Sequence, residues 1–160
     1  RGYAIVRSGE AILRDTSGLE AGARVEVELA EGGFGARVED VTVAGAEGPI
    51  AARLYADSQA KNLPCILYIH GGGWVICDLD SHDLLARGLA RHSGCAVLSI
   101  DYRLAPEHPY PAAVDDALTA YRWLLKQGYR GRDIGVFGDS AGGGLTLALA
   151  ELELPEVESA

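Results

Sequence analysis

The run Ile134-Gly135-Val136-Phe137-Gly138-Asp139-Ser140-Ala141-Gly142-Gly143-Gly144 constrains this chain more than any other stretch. Ile134, Val136 and Phe137 read as a short buried strand, and Leu145 to Ala150 as the start of an apolar helix. Between them stands a Gly-x-Ser-x-Gly, Gly138-Asp139-Ser140-Ala141-Gly142. A strand that passes into a helix so quickly must turn sharply, which leaves no room for a Cβ two residues to either side of the serine. The serine itself is pushed toward positive φ, an uncommon state for a residue with a Cβ. Such a turn is a nucleophile elbow. It lifts the Ser140 hydroxyl clear of the sheet and sets it at a helix N-terminus, where free N–H groups favour developing negative charge. A bare Gly-x-Ser-x-Gly also arises by chance in a chain with 21 glycines, so the flanking strand and helix carry the reading.

The rest of the chain supplies the other layers. Residues 1–37 alternate polar and apolar side chains, broken by Gly9, Gly18, Gly22, Gly32 and Gly33, with strand patterns at Ala4–Val6 and Arg24–Leu29. They predict a small antiparallel β-rich segment, followed by an α/β domain over 38–160. Val41–Val43 and Ala51–Tyr55 flank Gly45 to Pro49 and read as a hairpin over about 41–55. Asp57 to Pro64 is a polar loop. Cys65–Ile69 and Ala96–Ile100 are continuous apolar runs of strand length, as expected for strands covered on both faces. Strands are therefore predicted at about 65–70, 96–101 and 134–137, with helices at about 82–93, 111–127 and 141–152. Ser81 is the expected N-cap of the first helix, whose inner face is Leu84, Leu85, Gly88 and Leu89. The second helix follows Pro111, buries Val114, Leu118, Tyr121, Leu124 and Leu125, and stops at Gly128. Strands alternating with helices mean right-handed crossovers and a mostly parallel sheet with flanking helices.

Composition narrows the partners. The chain has 160 residues, enough for a compact core at 48% hydrophobic content, and a net charge of −9. That charge argues against nucleic acid or an anionic membrane surface. No apolar run approaches the roughly 18 residues of a membrane span, and no signal pattern opens the chain. Cys65, Cys77 and Cys95 have no metal-ligand spacing, and they read as reduced thiols, two of them in core strands. Those features point to a soluble cytoplasmic protein. The sequence contains no methionine and begins on Arg1, so it is expected to be a piece of something longer.

His70-Gly71-Gly72-Gly73-Trp74 follows the 65–69 run directly. Acyl transfer needs preorganised N–H donors aimed at the oxygen that becomes anionic, and three glycines let a backbone approach a carbonyl closely. Taken by itself the stretch is equally a flexible glycine turn, and His70 a structural hydrogen-bonding residue. Three stretches nevertheless come in one order, each at the C-terminal end of a predicted strand. They are His70–Trp74, Asp101-Tyr102-Arg103-Leu104-Ala105-Pro106-Glu107, and Gly138–Gly143. Sheets of this class place their sites there.

From Val38 to Leu149 this constellation resembles the hormone-sensitive-lipase-like family of α/β-hydrolase carboxylesterases. The resemblance implies the N-terminal part of an α/β-hydrolase fold and hydrolysis of carboxylic esters through an acyl-enzyme, with no metal or organic cofactor. It casts Ser140 as nucleophile and the N–H groups of Gly72, Gly73 and Ala141 as the oxyanion hole, with His70, Gly71, Gly138, Asp139 and Gly142 in support. It further implies an Arg103–Glu107 ion pair buried beneath the site, and small ester substrates with short to medium acyl chains.

The sequence departs from that family in four ways. Cys77 stands where a glycine is usual, and Gly144 where an asparagine is common. Residues 1–37 take the place of a helical cap. Most important, His70, His82, His92 and His108 all precede Ser140, whereas the acid and histidine of this fold follow the serine. A serine without a base is a weak nucleophile. The 160 residues are therefore expected to be nearly inactive by themselves, and the 134–137 strand to present an open edge that invites dimerisation. Arg1–Arg7, Leu19–Val25 and Phe34–Val38 are similar to the C-terminal tail of the large subunit of exodeoxyribonuclease VII, without that family's catalytic core. The alternative is thus a non-catalytic interaction module related to that subunit.

Overall fold

A computed structural model describes residues 3–8, 11–13, 26–30, 36–45, 47–57 and 62–153. The glycine turns expected at Gly9, Gly18, Gly22, Gly32 and Gly33 lie outside these residues. So do Arg24 and Val25 of the second expected strand, and residues 58–61 of the polar loop. The chain divides into two units, Arg1–Phe34 and Gly35–Ala160. In the first, strands β1 (Tyr3–Ser8), β2 (Ala11–Leu13) and β3 (Glu26–Ala30) form an antiparallel sheet in the order β2-β1-β3.

The second unit begins earlier than residue 38, because the hairpin is longer than its apolar alternation suggests. β4 (Ala36–Gly45) and β5 (Gly48–Asp57) pair along ten residues each. β6 (Cys65–Ile69), β7 (Ala96–Ile100) and β8 (Ile134–Gly138) complete a five-stranded sheet in the order β4-β5-β7-β6-β8. β5 joins β7 antiparallel, and β7, β6 and β8 run parallel. β7 is buried throughout and β6 nearly so, as their unbroken apolar runs require. β8 is the edge strand among the described residues, and Phe137 is 45% exposed there.

Helices α1 (Asp83–Ser93), α2 (Ala112–Lys126) and α3 (Ala141–Glu153) lie where the sequence predicts them. Leu67, Ile69, Leu98 and Ile100 share a core with Ala117, Ala120, Tyr121 and Leu124 of α2 and with Leu145 and Leu149 of α3. The face presented by α1 differs from the expectation. Leu84 and Leu85 point outward, at 85% and 43% exposure, and the buried residues are Ala86 and Ala90. Two alanines let the helix approach closely. A polar clamp secures it: Asp83 accepts from the Tyr55 hydroxyl at 2.9 Å and from Arg87 Nε at 2.5 Å, and the Arg87 guanidinium lies 5.6 Å over the Tyr55 ring. Ser81 does not cap α1, whose N-cap is His82. Its backbone and hydroxyl instead close a turn with Asp78, at 2.8 and 2.9 Å. Leu125 is also exposed rather than packed, and α2 buries Asp116 in its core face. Of the three thiols only Cys65 is buried; Cys77 and Cys95 are half-exposed, the latter one residue before β7.

Strand register positions everything that follows. Ile69 of β6 stands beside both Ile100 of β7 and Gly138 of β8. The three motif-bearing segments therefore leave the sheet at one level, on its C-terminal side.

Candidate active site

Two residues, Asp139 and Ser140, separate β8 from α3. Ser140 has φ 50°, the left-handed conformation expected of the elbow. The turn closes through Gly142 N–H to the Asp139 carbonyl at 2.8 Å and Gly143 N–H to the Ser140 carbonyl at 3.0 Å. A Cβ on Gly142 would run into the carbonyls of Ile69 and His70, and one on Gly138 into the Gly142 carbonyl. Both glycines are required by backbone contact, and the first of these contacts seats the elbow on the end of β6. Ser140 is exposed, and its hydroxyl bonds to no described residue.

The loop after β6 coils in left-handed steps, with φ 111° at Gly72, 62° at Gly73, 63° at Trp74 and 79° at Cys77. Gly72's carbonyl accepts from the N–H groups of Val75 and Ile76 at 3.2 and 3.1 Å, and Trp74's carbonyl accepts from Ala105 N–H at 2.8 Å. The N–H groups of Gly72, Gly73 and Ala141 donate to no described residue. Cys77 occupies a backbone state that glycine adopts freely, and its Sγ lies against Gly72.

His70 is fully buried. Its Nδ1 donates to the Gly71 carbonyl at 2.7 Å, its ring stacks 4.3 Å from that of Tyr102, and the Tyr102 hydroxyl donates to the His70 carbonyl at 2.9 Å. Its Nε2 makes no hydrogen bond to a described residue. Burial holds this imidazole below its ordinary pKa, so it stays neutral. His70 is a strut for the loop. Of the remaining histidines, His82 bonds through Nδ1 to the Ser81 hydroxyl at 3.1 Å with its ring 5.4 Å from that of His70, and His92 Nδ1 meets the Gly88 carbonyl at 2.7 Å. His108 lines the cavity described below.

Two residues of the site carried no signal that the sequence reading used. Tyr68, in the apolar run of β6, donates its hydroxyl to Asp139 Oδ1 at 2.7 Å. His82 Nε2 lies 3.7 Å from Asp139 Oδ2. A tyrosine hydroxyl two residues before the glycine loop was the available clue to the first, since a buried phenol seeks an acceptor. Nothing in the sequence marks His82.

The expected Arg103–Glu107 pair does not form. Arg103 Nη2 meets Asp116 Oδ1 at 2.9 Å, its Nε and N–H also reach that carboxylate, and its Nη1 pairs with Glu47, while Glu107 is exposed. Residues 103–107 are not helical, so side chains four apart do not face each other there. Beside this pair a cavity of about 570 Å³ reaches from Gly73 to the first turns of α3, walled by Trp74, Val114, Leu145 and Ala148. The Trp74 ring lies beside Gly144 of α3, where an added Cβ would meet it at an ordinary 3.5 Å contact. A second cavity, about 610 Å³ between Leu63, Ala96 and Tyr129, lies at the N-terminal ends of the strands, away from Ser140. Among the described residues no group of three or more His, Cys, Asp and Glu is placed to hold a metal ion. None of their helices is long and apolar enough to cross a membrane.

The family described as alpha/beta hydrolase fold matches residues 66–158. Esterase LipI of Mycobacterium tuberculosis is 47% identical over an alignment of 123 positions that covers 72% of this chain and 38% of LipI. The ethyl acetate hydrolase of Pseudomonas putida is 41% identical over an alignment of 121 positions that covers 71% of this chain and 38% of that protein. A solved hyperthermophilic esterase from the archaeon Pyrobaculum calidifontis superimposes with a TM-score of 0.69 at 48% identity, over 72% of this chain and 39% of its own. The chain thus spans 38–39% of the length of these relatives.

Proposed function

The chain belongs to the α/β-hydrolase fold family, and on that premise we propose that it falls among the hormone-sensitive-lipase-like carboxylesterases and carries the nucleophile and oxyanion donors of a carboxylic ester hydrolase. Ser140 Oγ attacks the ester carbonyl carbon. The oxygen that becomes anionic accepts from the N–H groups of Gly72, Gly73 and Ala141, collapse expels the alcohol, and water then releases the acid from acyl-Ser140. The observation that carries this reading is the strained, exposed Ser140 directly after Asp139, whose carboxylate accepts from Gly71 N–H at 3.1 Å at the head of the glycine loop. The serine proton needs a base, and no histidine of the 160 hydrogen-bonds Ser140. In this fold the acid and histidine come after the serine.

The apolar cavity beside Gly73 suits an uncharged acyl or alkoxy group of short to medium length. The net charge of −9 repels anionic partners. Free thiols at Cys65, Cys77 and Cys95 fit a reducing, cytoplasmic setting. The open edge of β8 is the surface through which a second copy would pair.

The test is a covalent one. An alkyl p-nitrophenyl phosphonate should form an adduct at Ser140, read by peptide mass, and Ser140→Ala should abolish it. Label at another residue, or retained p-nitrophenyl butyrate turnover in Ser140→Ala, overturns the assignment. The 160-residue polypeptide itself should not exceed the residual acceleration of about 10³–10⁴ over water that binding and oxyanion donors leave when triad members are absent. Turnover near the ordinary roughly 10 s⁻¹ would oblige one of the four histidines to serve as base.

A further inference from the structure

We infer that Asp139 is a positioning residue, a carboxylate clamp that holds the Gly71–Gly73 loop in register with the nucleophile. The inference rests on the assignment of Ser140 above and extends it to the side chain next door. Asp139 sits beside the reacting hydroxyl yet is committed to the loop. Oδ1 accepts from the Tyr68 hydroxyl at 2.7 Å and from Gly71 N–H at 3.1 Å, while Oδ2 faces His82 Nε2 at 3.7 Å and lies against Gly71 Cα. Each partner comes from a different part of the fold: Tyr68 from β6, Gly71 from the glycine loop, and His82 from the start of α1. Tyr68 is braced in turn by stacking 5.9 Å from Phe137, two residues before Asp139 on the neighbouring strand.

The clamp remains ionised. Burial pushes the Asp139 carboxyl upward, but the Tyr68 hydroxyl, the nearby His82 and the Gly71 N–H outweigh it and hold the group below the usual carboxylate range. Burial and the adjacent Asp139 keep the Tyr68 hydroxyl protonated, well above its ordinary value. Charge-assisted bonds of this kind are the stronger class.

The loop itself has few other anchors. Its far side is tied by the Gly72 turn and by Trp74 to Ala105. On the near side Asp139 holds the N–H of the His70–Gly71 peptide at 3.1 Å, and His70 Nδ1 holds the carbonyl of the following Gly71–Gly72 peptide at 2.7 Å. Since Asp139 is also the peptide neighbour of Ser140, the nucleophile and the oxyanion donors are held in one frame. A misplacement of about 1 Å in such a frame costs about a hundredfold in rate.

The experiment compares the full chain with Asp139→Ala, Asp139→Asn and Tyr68→Phe. One readout is hydrogen–deuterium exchange in the peptide spanning 70–77; the other is the rate of phosphonate labelling at Ser140. Asp139→Ala should speed exchange at the bonded amides of the loop, Gly71, Val75 and Ile76, by about tenfold or more and slow labelling about a hundredfold, with exchange in β7 unchanged. The Asn variant keeps an Oδ1 that accepts from both donors, so it should recover labelling to within about tenfold of the parent. Tyr68→Phe should fall between. Unchanged exchange and labelling in both Asp139→Ala and Tyr68→Phe overturn the clamp, as does an Asn variant no better than alanine. If Asp139→Ala does not fold, the Asn and Phe variants decide. Ser140→Ala separates the two readings: it should abolish labelling and leave loop exchange as it was. If label appears elsewhere the esterase assignment falls, and the exchange result still judges the clamp.

Discussion

Replacing Asp116 by alanine removes the buried partner of Arg103, and the structure sets the cost. The Asp116 side chain is 5% exposed and that of Arg103 23%. Four hydrogen bonds are lost: Arg103 N–H to Oδ2 at 2.8 Å, Nε to Oδ1 and Oδ2 at 3.1 and 3.0 Å, and Nη2 to Oδ1 at 2.9 Å. Breaking a fully buried pair costs about 3–5 kcal/mol. Here the guanidinium is partly hydrated and keeps Glu47, which argues for the lower end. The backbone N–H of Arg103, left without its acceptor, adds a share of about 1 kcal/mol or more within that figure. The expected loss is about 3 kcal/mol, or roughly 6–12 °C in Tm for a domain of this size. Urea unfolding followed by far-UV circular dichroism measures it, and a double-mutant cycle with Arg103→Ala isolates the coupling. Glu107→Ala is the control, because an exposed side chain should cost no more than about 0.5 kcal/mol. An Asp116→Ala effect below that level, or a Glu107→Ala effect equal to it, would show that Arg103 is held otherwise.

Two further substitutions follow from the same loop. Cys77→Gly should raise Tm by about 2–4 °C, since removing a left-handed Cβ returns about 1–2 kcal/mol and glycine's extra unfolded freedom takes back about 0.4–1; a lower Tm would mean that Sγ packing on Gly72 outweighs the strain. Stability should also decline as pH falls below the ordinary His70 value of 6.5. The folded pKa is lowered, so the unfolded chain takes up the proton first and the contribution, complete above 6.5, is lost toward the folded value. His70→Gln should flatten the urea midpoint between about pH 6.5 and 5, and an unchanged slope there would remove His70 from the account.

Much of this protein was written locally. The elbow was legible because two glycines flank Ser140 where backbone contact excludes a Cβ. β6 and β7 were legible because strands buried on both faces carry unbroken apolar runs, and α2 because it ends on a glycine of positive φ. The choice of partners was not local. Both inner faces of α1 fit the helical period, and only its close approach to β5 and β7 selected Ala86 and Ala90 over Leu84. Arg103 and Glu107 stand four apart, but their segment is not helical, and the guanidinium reached thirteen residues onward to Asp116. The clamp of Tyr68, Gly71, His82 and Asp139 spans 71 residues. It exists only because the register sets Ile69 beside Gly138. Hydrophobic period and steric exclusion act over a few residues, so they appear in the sequence; hydrogen bonds between distant side chains depend on strand order and register, which only the assembled sheet decides.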